Sequence, residues 1–402
     1  MCVKSIDERN ESTRSSDLHR VGSGSITAII AVAAAVLWAA PQAQSQTVIH
    51  VDKNSTGPVH DGSSWCSAYR ELHEALAVAA AGMTIRVADG TYRPDATALA
   101  DPREATFQLI NGVALEGGYA GCGGGDPDER DVTALETILH GDVNDDNDPN
   151  GDPGPGGGCC RGSGVPGCAD ASCLAKVCAV EPSCCGENWF FTCGVLARKW
   201  CCELCSDNLT HCDDSYHVVT GRSTNNTATL DGFVITGGRA SNASGGDLYT
   251  GGGGMIIVSG DPTVTNCTFA GNWSEGAGGA VYNYEGGPTF TNCTFHANTA
   301  GGLGGGMYNL NGAATLRNCT FTENVADELG GGLYTVSFHV DPTVENCTFV
   351  ENRADVRGGG MYVEHGSPKL SRCTFVANWA NISGGGMYVE RGSTDLSGCT
   401  FV

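Results

Sequence analysis

The chain has 402 residues, of which 59 are glycine and 17% are charged, and its formal charge is −23. This composition excludes a coiled coil and a highly charged disordered chain, and glycine so frequent without a triplet period calls for many turns. The acidic balance, with no Lys/Arg cluster, excludes nucleic acid and anionic membrane as partners and leaves cations or neutral glycans.

In chain order, the first element is the apolar run Ile26 to Ala40, followed by small residues at Ala43 and Ser45. It has the length of a signal-peptide core and is short for a bilayer span, so residues 1–45 read as an export signal. The segment before it balances Lys4, Arg9, Arg14 and Arg20 against Asp7, Glu8, Glu11 and Asp17. That leaves an uncleaved anchor or a different start site as alternatives. No other transmembrane span is expected. Twenty-one cysteines agree with export, because disulfides persist in oxidising compartments.

Residues 46–143 read as the cap and first coils of the fold developed below. A strand is predicted over Thr47 to Val51, an amphipathic helix over Ser64 to Ala80 closed by Gly82, and a strand over Thr84 to Val87. Leu72, Leu76 and Ala79 recur at helical spacing.

Residues 144–212 break the pattern. Asp142, Asn144, Asp146 and Asp148 set oxygen ligands at alternate positions, yet no frame supplies the later Glu of a calcium loop, so a solvated acidic loop is the preferred reading. No cofactor is expected, Ca²⁺ being the one the sequence could hold. Twelve cysteines follow: Cys159, Cys160, Cys168, Cys173, Cys178, Cys184, Cys185, Cys193, Cys201, Cys202, Cys205 and Cys212. Pairs such as Cys202 and Cys205 would suit zinc, but in an exported chain with too few apolar groups for a core, disulfides are preferred.

Residues 213–402 are repetitive. Cys267, Cys293, Cys319, Cys347, Cys373 and Cys399 recur with a period of about 26 residues, each followed by Thr-Phe and, except after Cys399, by an Asn three residues beyond the Phe. A glycine cluster and an aliphatic residue precede them (Met255, Val281, Met307, Leu333, Met361, Met387). Short β-rich runs broken by Gly and Asn, with no helical periodicity, predict an all-β right-handed parallel β-helix with stacked coils. Val264, Phe290, Leu316, Val344, Leu370 and Leu396 should form one interior row, and the Cys and Phe of each unit two more. Asn266, Asn292, Asn318 and Asn346 read as turn residues in an asparagine ladder. Their Asn-Cys-Thr triplets match a glycosylation sequon that the repeat already explains. Equivalent Cβ atoms about 4.8 Å apart exceed disulfide reach, so the repeat cysteines should be buried thiols.

The alternation of Gly-Gly-[Gly/Ala]-aliphatic with Phe-x-x-Asn over residues 251–402 resembles the repeats of chlamydial-type polymorphic outer membrane proteins. Most units here carry Gly where that family prefers Ala. Residues 47–140 resemble the opening of pectate-lyase-like β-helix proteins, in which a helix covers the first coil and shields its edge. That resemblance implies a disulfide between Cys66 and Cys122.

Tyr282, Tyr308, Tyr334, Tyr362 and Tyr388 follow the inward aliphatics, so alternation turns them outward as an aromatic strip able to bind sugar or protein, or else merely stacked on one another. No residue is assigned to catalysis. The acids that could carry it are Glu364 with Glu390, Asp327 with Asp355, and Glu323 with Glu351, each pair one coil apart and near the separation of retaining glycosidases. Any repeated acid in a solenoid gives that distance. The expected function is a secreted or outer-membrane-associated surface protein that adheres to a glycan or cell-surface protein or serves structurally. The alternative is a polysaccharide lyase or glycoside hydrolase of the pectate-lyase-like fold.

Overall fold

The computed structural model describes residues 47–99, 101–143, 214–241 and 250–402. The leader, Asn144, Asp146, Asp148 and the twelve clustered cysteines lie outside them, so the readings made for those residues are not addressed by the fold.

The described residues begin with β1 (Thr47–Val51), and after α1 (Leu72–Val78) come β2 (Met83–Ala88) and β3 (Gly90–Tyr92). Among the described residues the strands form four sheets of ten, nine, eight and six strands, and all strand pairings are parallel. This is a right-handed parallel β-helix, in which each strand pairs with its equivalent one coil away. The register is that of the repeat. Leu230, Val264, Phe290, Leu316, Val344, Leu370 and Leu396 are successive partners in the ten-stranded sheet.

Burial follows alternation. In Thr263–Thr265, Thr289–Thr291 and Thr294–His296 the central residue faces the core and its neighbours do not. The phenylalanine rings stack in near-parallel pairs, 4.3 Å apart between Phe295 and Phe321 and 4.8 Å between Phe321 and Phe349. Burying each such ring contributes about 2–3 kcal/mol. The repeat cysteines Cys267, Cys293, Cys319, Cys347 and Cys373 are free and buried beside them, and Cys399 is free and half-buried.

Asparagine does two separate jobs. Asn266, Asn292, Asn318 and Asn346 adopt positive φ between 49° and 55°, a conformation Asn tolerates, and each amide from Asn292 onward donates to the one before it at 2.8 to 3.1 Å. This ladder is exposed. The Asn three residues after the Phe is buried instead at Asn272, Asn298, Asn324 and Asn352, and its amide both donates to a backbone carbonyl of the previous coil and bonds the next asparagine, as in Asn324 Nδ2 to Phe295 O (2.8 Å) and to Asn352 Oδ1 (2.9 Å). One glycine per coil is required by the backbone. Gly304 has φ 66°, and a Cβ there would lie 2.3 Å from the Met307 carbonyl oxygen.

The expected helix over Ser64 to Ala80 is instead two pieces, a 3₁₀ turn at Trp65–Ser67 and α1. Between them Tyr69 bridges β1. Its N–H donates to His50 O at 3.0 Å and its carbonyl accepts from Asp52 N–H at 2.8 Å, which pulls residues 68–70 into extended backbone. Leu72 and Ala75 of α1 pack into the core beside Ile49 and Val51, with Leu76 and Ala79 at its edge. Cys66 and Cys122 form a disulfide near the Trp65, Ala88 and Tyr119 cluster. The strands on either side of the cysteine-rich segment are direct neighbours: Ala114–Tyr119 pairs with Thr229–Asp231, and Thr137–His140 with Phe233–Thr236.

Candidate binding face

The eight-stranded sheet carries the repeated tyrosines. Within Val281–Tyr284, Val281 and Asn283 point inward and are buried, which turns Tyr282 outward. Successive rings stack at 5.1, 5.1, 5.2 and 5.5 Å from Tyr282 to Tyr388. The strip is outward but not open along its length. Tyr334 and Tyr362 are 2% and 1% exposed, while Tyr282, Tyr308 and Tyr388 are half-buried.

The cover comes from two sources. Leu303 and Leu329, from the turn before each glycine cluster, and Leu310 and Val336, each two residues beyond a tyrosine, pack with the rings in a cluster separate from the inner core. Arg357 places its guanidinium 5.1 Å from the centre of the Tyr388 ring. Burial therefore pushes the Tyr308, Tyr334 and Tyr362 hydroxyls up, and the Glu364 and Glu390 carboxylates add to the shift at Tyr334 and Tyr362.

Glu364 and Glu390 are equivalent residues of adjacent coils, each held by the coil before it. The Tyr334 hydroxyl donates to Glu364 and the Tyr362 hydroxyl to Glu390. Asp355 pairs with Arg353 at 2.9 Å. Asp327 and Asp355 occupy equivalent backbone positions, their N–H groups donating to Ala300 and Ala326 carbonyls. Glu323 and Glu351 sit at exposed turns with φ of 57° and 54°. Asp142 is buried, and its carboxylate faces Arg93 at 3.9 Å. Among the described residues no group of three or more His, Cys, Asp or Glu side chains is placed to hold a metal ion, and no helix is long and apolar enough to cross a membrane.

Sequence reading missed a second outward row, on the six-stranded sheet. There the Arg239 and Arg353 guanidinium carbons lie 4.9 and 4.7 Å from the ring centres of Trp273 and Trp379 one coil on. The signal was present in the sequence. Both tryptophans stand four residues after the repeat phenylalanine.

Residues 223–401 match the family model described as a right handed beta helix region. Comparison with curated proteins and with solved structures finds no match. Coil geometry and family model together define a repetitive right-handed parallel β-helix protein.

Proposed function

We propose that this chain is an exported surface protein, secreted or associated with an outer membrane, whose solenoid is a rigid scaffold presenting the tyrosine sheet to a glycan or a cell-surface protein. The observation that carries the reading is the outward cluster of Tyr308, Tyr334, Tyr362, Tyr388, Leu303, Leu329, Leu310 and Val336. The inner core has its own rows of Val, Leu, Cys and Phe and needs none of these side chains. An aromatic and aliphatic band on an outer sheet face is the kind of surface that partners use. The resemblance to polymorphic outer membrane protein repeats supports the same role. The polysaccharide lyase or glycosidase reading has less support, because Glu364, Glu390 and Asp355 are already engaged by tyrosine hydroxyls and Arg353.

The test uses the full chain on a glycan and cell-surface binding panel, beside the variant Tyr282→Ser/Tyr308→Ser/Tyr388→Ser, which spares the buried Tyr334 and Tyr362. Loss of binding is expected in a variant that still shows the folded β signal at the assay temperature, with a lowered melting temperature because the three rings are half-buried and stacked. Unsaturated products or new reducing ends from uronate polymers would replace the binding role with an enzymatic one.

A further inference from the structure

Away from the tyrosine face, the irregular start of the described fold holds a concavity. A cavity of about 470 Å³ lies between the start of α1 and the loop that follows β3, and its lining includes Lys53, Glu71, His73, Thr91, Arg93 and Asp95. That volume falls within the usual range for small-molecule sites.

Three nitrogen-bearing side chains meet there in a chain of formal charge −23. Lys53 Nζ is held by the Thr91 carbonyl at 3.2 Å, which fixes an otherwise exposed ammonium at the rim. The Arg93 guanidinium is backed by the buried Asp142 carboxylate at 3.9 Å. His73 Nδ1 is buried and has no hydrogen-bond partner. The rest of the His73 ring lines the cavity. The acids of the lining have local duties. Asp95 accepts the Thr97 N–H at 2.9 Å, a bond that holds its carboxyl below the usual range, and Glu71 opens α1.

We infer that this cavity binds a small hydroxylated carboxylate. The ligand's carboxylate pairs with Lys53 and accepts from His73, with Arg93 adding positive field, and its hydroxyls donate to the Glu71 and Asp95 carboxylates and bond the Thr91 hydroxyl. The mixed-sign lining sets the class. A bare, multiply charged phosphate would face Glu71 and Asp95, and an uncharged sugar would leave Lys53 without an ion pair. The site is separate from the tyrosine face, so it stands or falls independently of the surface-binding reading.

Isothermal titration of the full chain with gluconate, with glucose and inorganic phosphate as comparators, tests it. Saturable gluconate binding is expected, with glucose and phosphate at least roughly tenfold weaker. Lys53→Met and His73→Gln should each weaken gluconate by about tenfold, the loss of one charged hydrogen bond, and Lys53→Arg should restore most of it. The wild-type titration decides the matter even if a variant fails to fold. No saturable gluconate binding, equal binding of glucose, phosphate as good as gluconate, or an unchanged affinity in folded Lys53→Met/His73→Gln would each overturn the assignment.

Discussion

Replacing Asn324 by Ala should be among the most damaging single changes in the solenoid, and the cost can be worked from its partners. Asn324 is fully buried. Its amide donates to Phe295 O at 2.8 Å and to Asn352 Oδ1 at 2.9 Å, and its Oδ1 accepts from Asn298 N–H at 3.1 Å and Asn298 Nδ2 at 3.0 Å. Alanine deletes all four bonds. Asn352 Oδ1 keeps the Asn324 N–H at 3.1 Å, and Phe295 lies in a strand paired in register with Thr320–Thr322, whose ladder still serves its carbonyl, so the groups stranded are the Asn298 N–H and one Asn298 amide hydrogen. At about 1–3 kcal/mol for each buried group left without a partner, and allowing for some relaxation, the loss is about 2–5 kcal/mol. The control is Asn318→Gly in the exposed ladder. It gives up two solvent-exposed bonds, of 3.1 Å to Asn292 and 2.8 Å from Asn346, but strands no buried group and keeps the positive φ without strain, so its cost should stay near or below about 1 kcal/mol. Urea unfolding followed by circular dichroism gives both values. Coils of a solenoid need not unfold together, so midpoint and slope are read jointly. Equal shifts for the two variants would refute the argument that the buried amides hold the coils together.

Three further outcomes follow from burial and crosslinking. Cys267 and Cys373 are pushed up to about 12 by burial, and Cys319 to about 12 first by its hydrogen bond with Cys293. Their folded values lie above the ordinary 9.0, so their contribution is whole below pH 9 and is lost as pH rises towards 12; melting temperature should fall from pH 9 to pH 11, and a flat profile would contradict it. His217 is lowered to about 4 by burial, its Nδ1–H donating to the Gly252 carbonyl at 2.9 Å. Its contribution is whole above 6.5 and is lost as pH falls towards 4, so His217→Gln should flatten the acid limb of a melting profile; an unchanged limb would show that other groups set it. The Cys66–Cys122 bond spans 56 residues, which corresponds to about 4 kcal/mol of chain entropy. Cys66→Ala/Cys122→Ala should speed hydrogen exchange in β1, β2 and α1 and leave the strands from Met255 onward protected, whereas uniform loss would point to one cooperative unit.

The rows of the solenoid were legible because a fixed period superposes identical side chains: Val264 through Leu370 and Cys267 through Cys373 are each buried as the spacing requires. Leu396 belongs to the same row yet is 46% exposed, since no described coil packs beyond it. The pairing of Cys66 with Cys122 was legible only through resemblance, as nothing in their spacing selects it. Tertiary pairing overrode the helix pattern at Tyr69, where a strand competes for the same backbone groups. Alternation fixed which way the tyrosines point, but not their cover, because Leu303 and Leu329 come from turns whose side-chain direction no periodicity reports. The cavity at Lys53, His73 and Arg93 was invisible for a similar reason. Its residues are brought together by irregular connections rather than by a repeat.

The same translational repetition argues against reading chemistry into the paired acids. A carboxylate pair that works as acid and base needs two unlike environments, one favouring the proton and one favouring the charge. A solenoid carries a residue to the next coil together with its surroundings. Glu364 meets the hydroxyl of Tyr334 and Glu390 meets that of Tyr362, the same donor at the same offset, so the geometry that sets them one coil apart also gives them matching hydrogen-bond partners. Asp355 pairs with Arg353, which stands where the coil before has Val325. Division of labour between two groups requires broken symmetry, and among the described residues the symmetry breaks at the opening of the chain, where β1, α1 and the loop after β3 bring unlike side chains around one cavity.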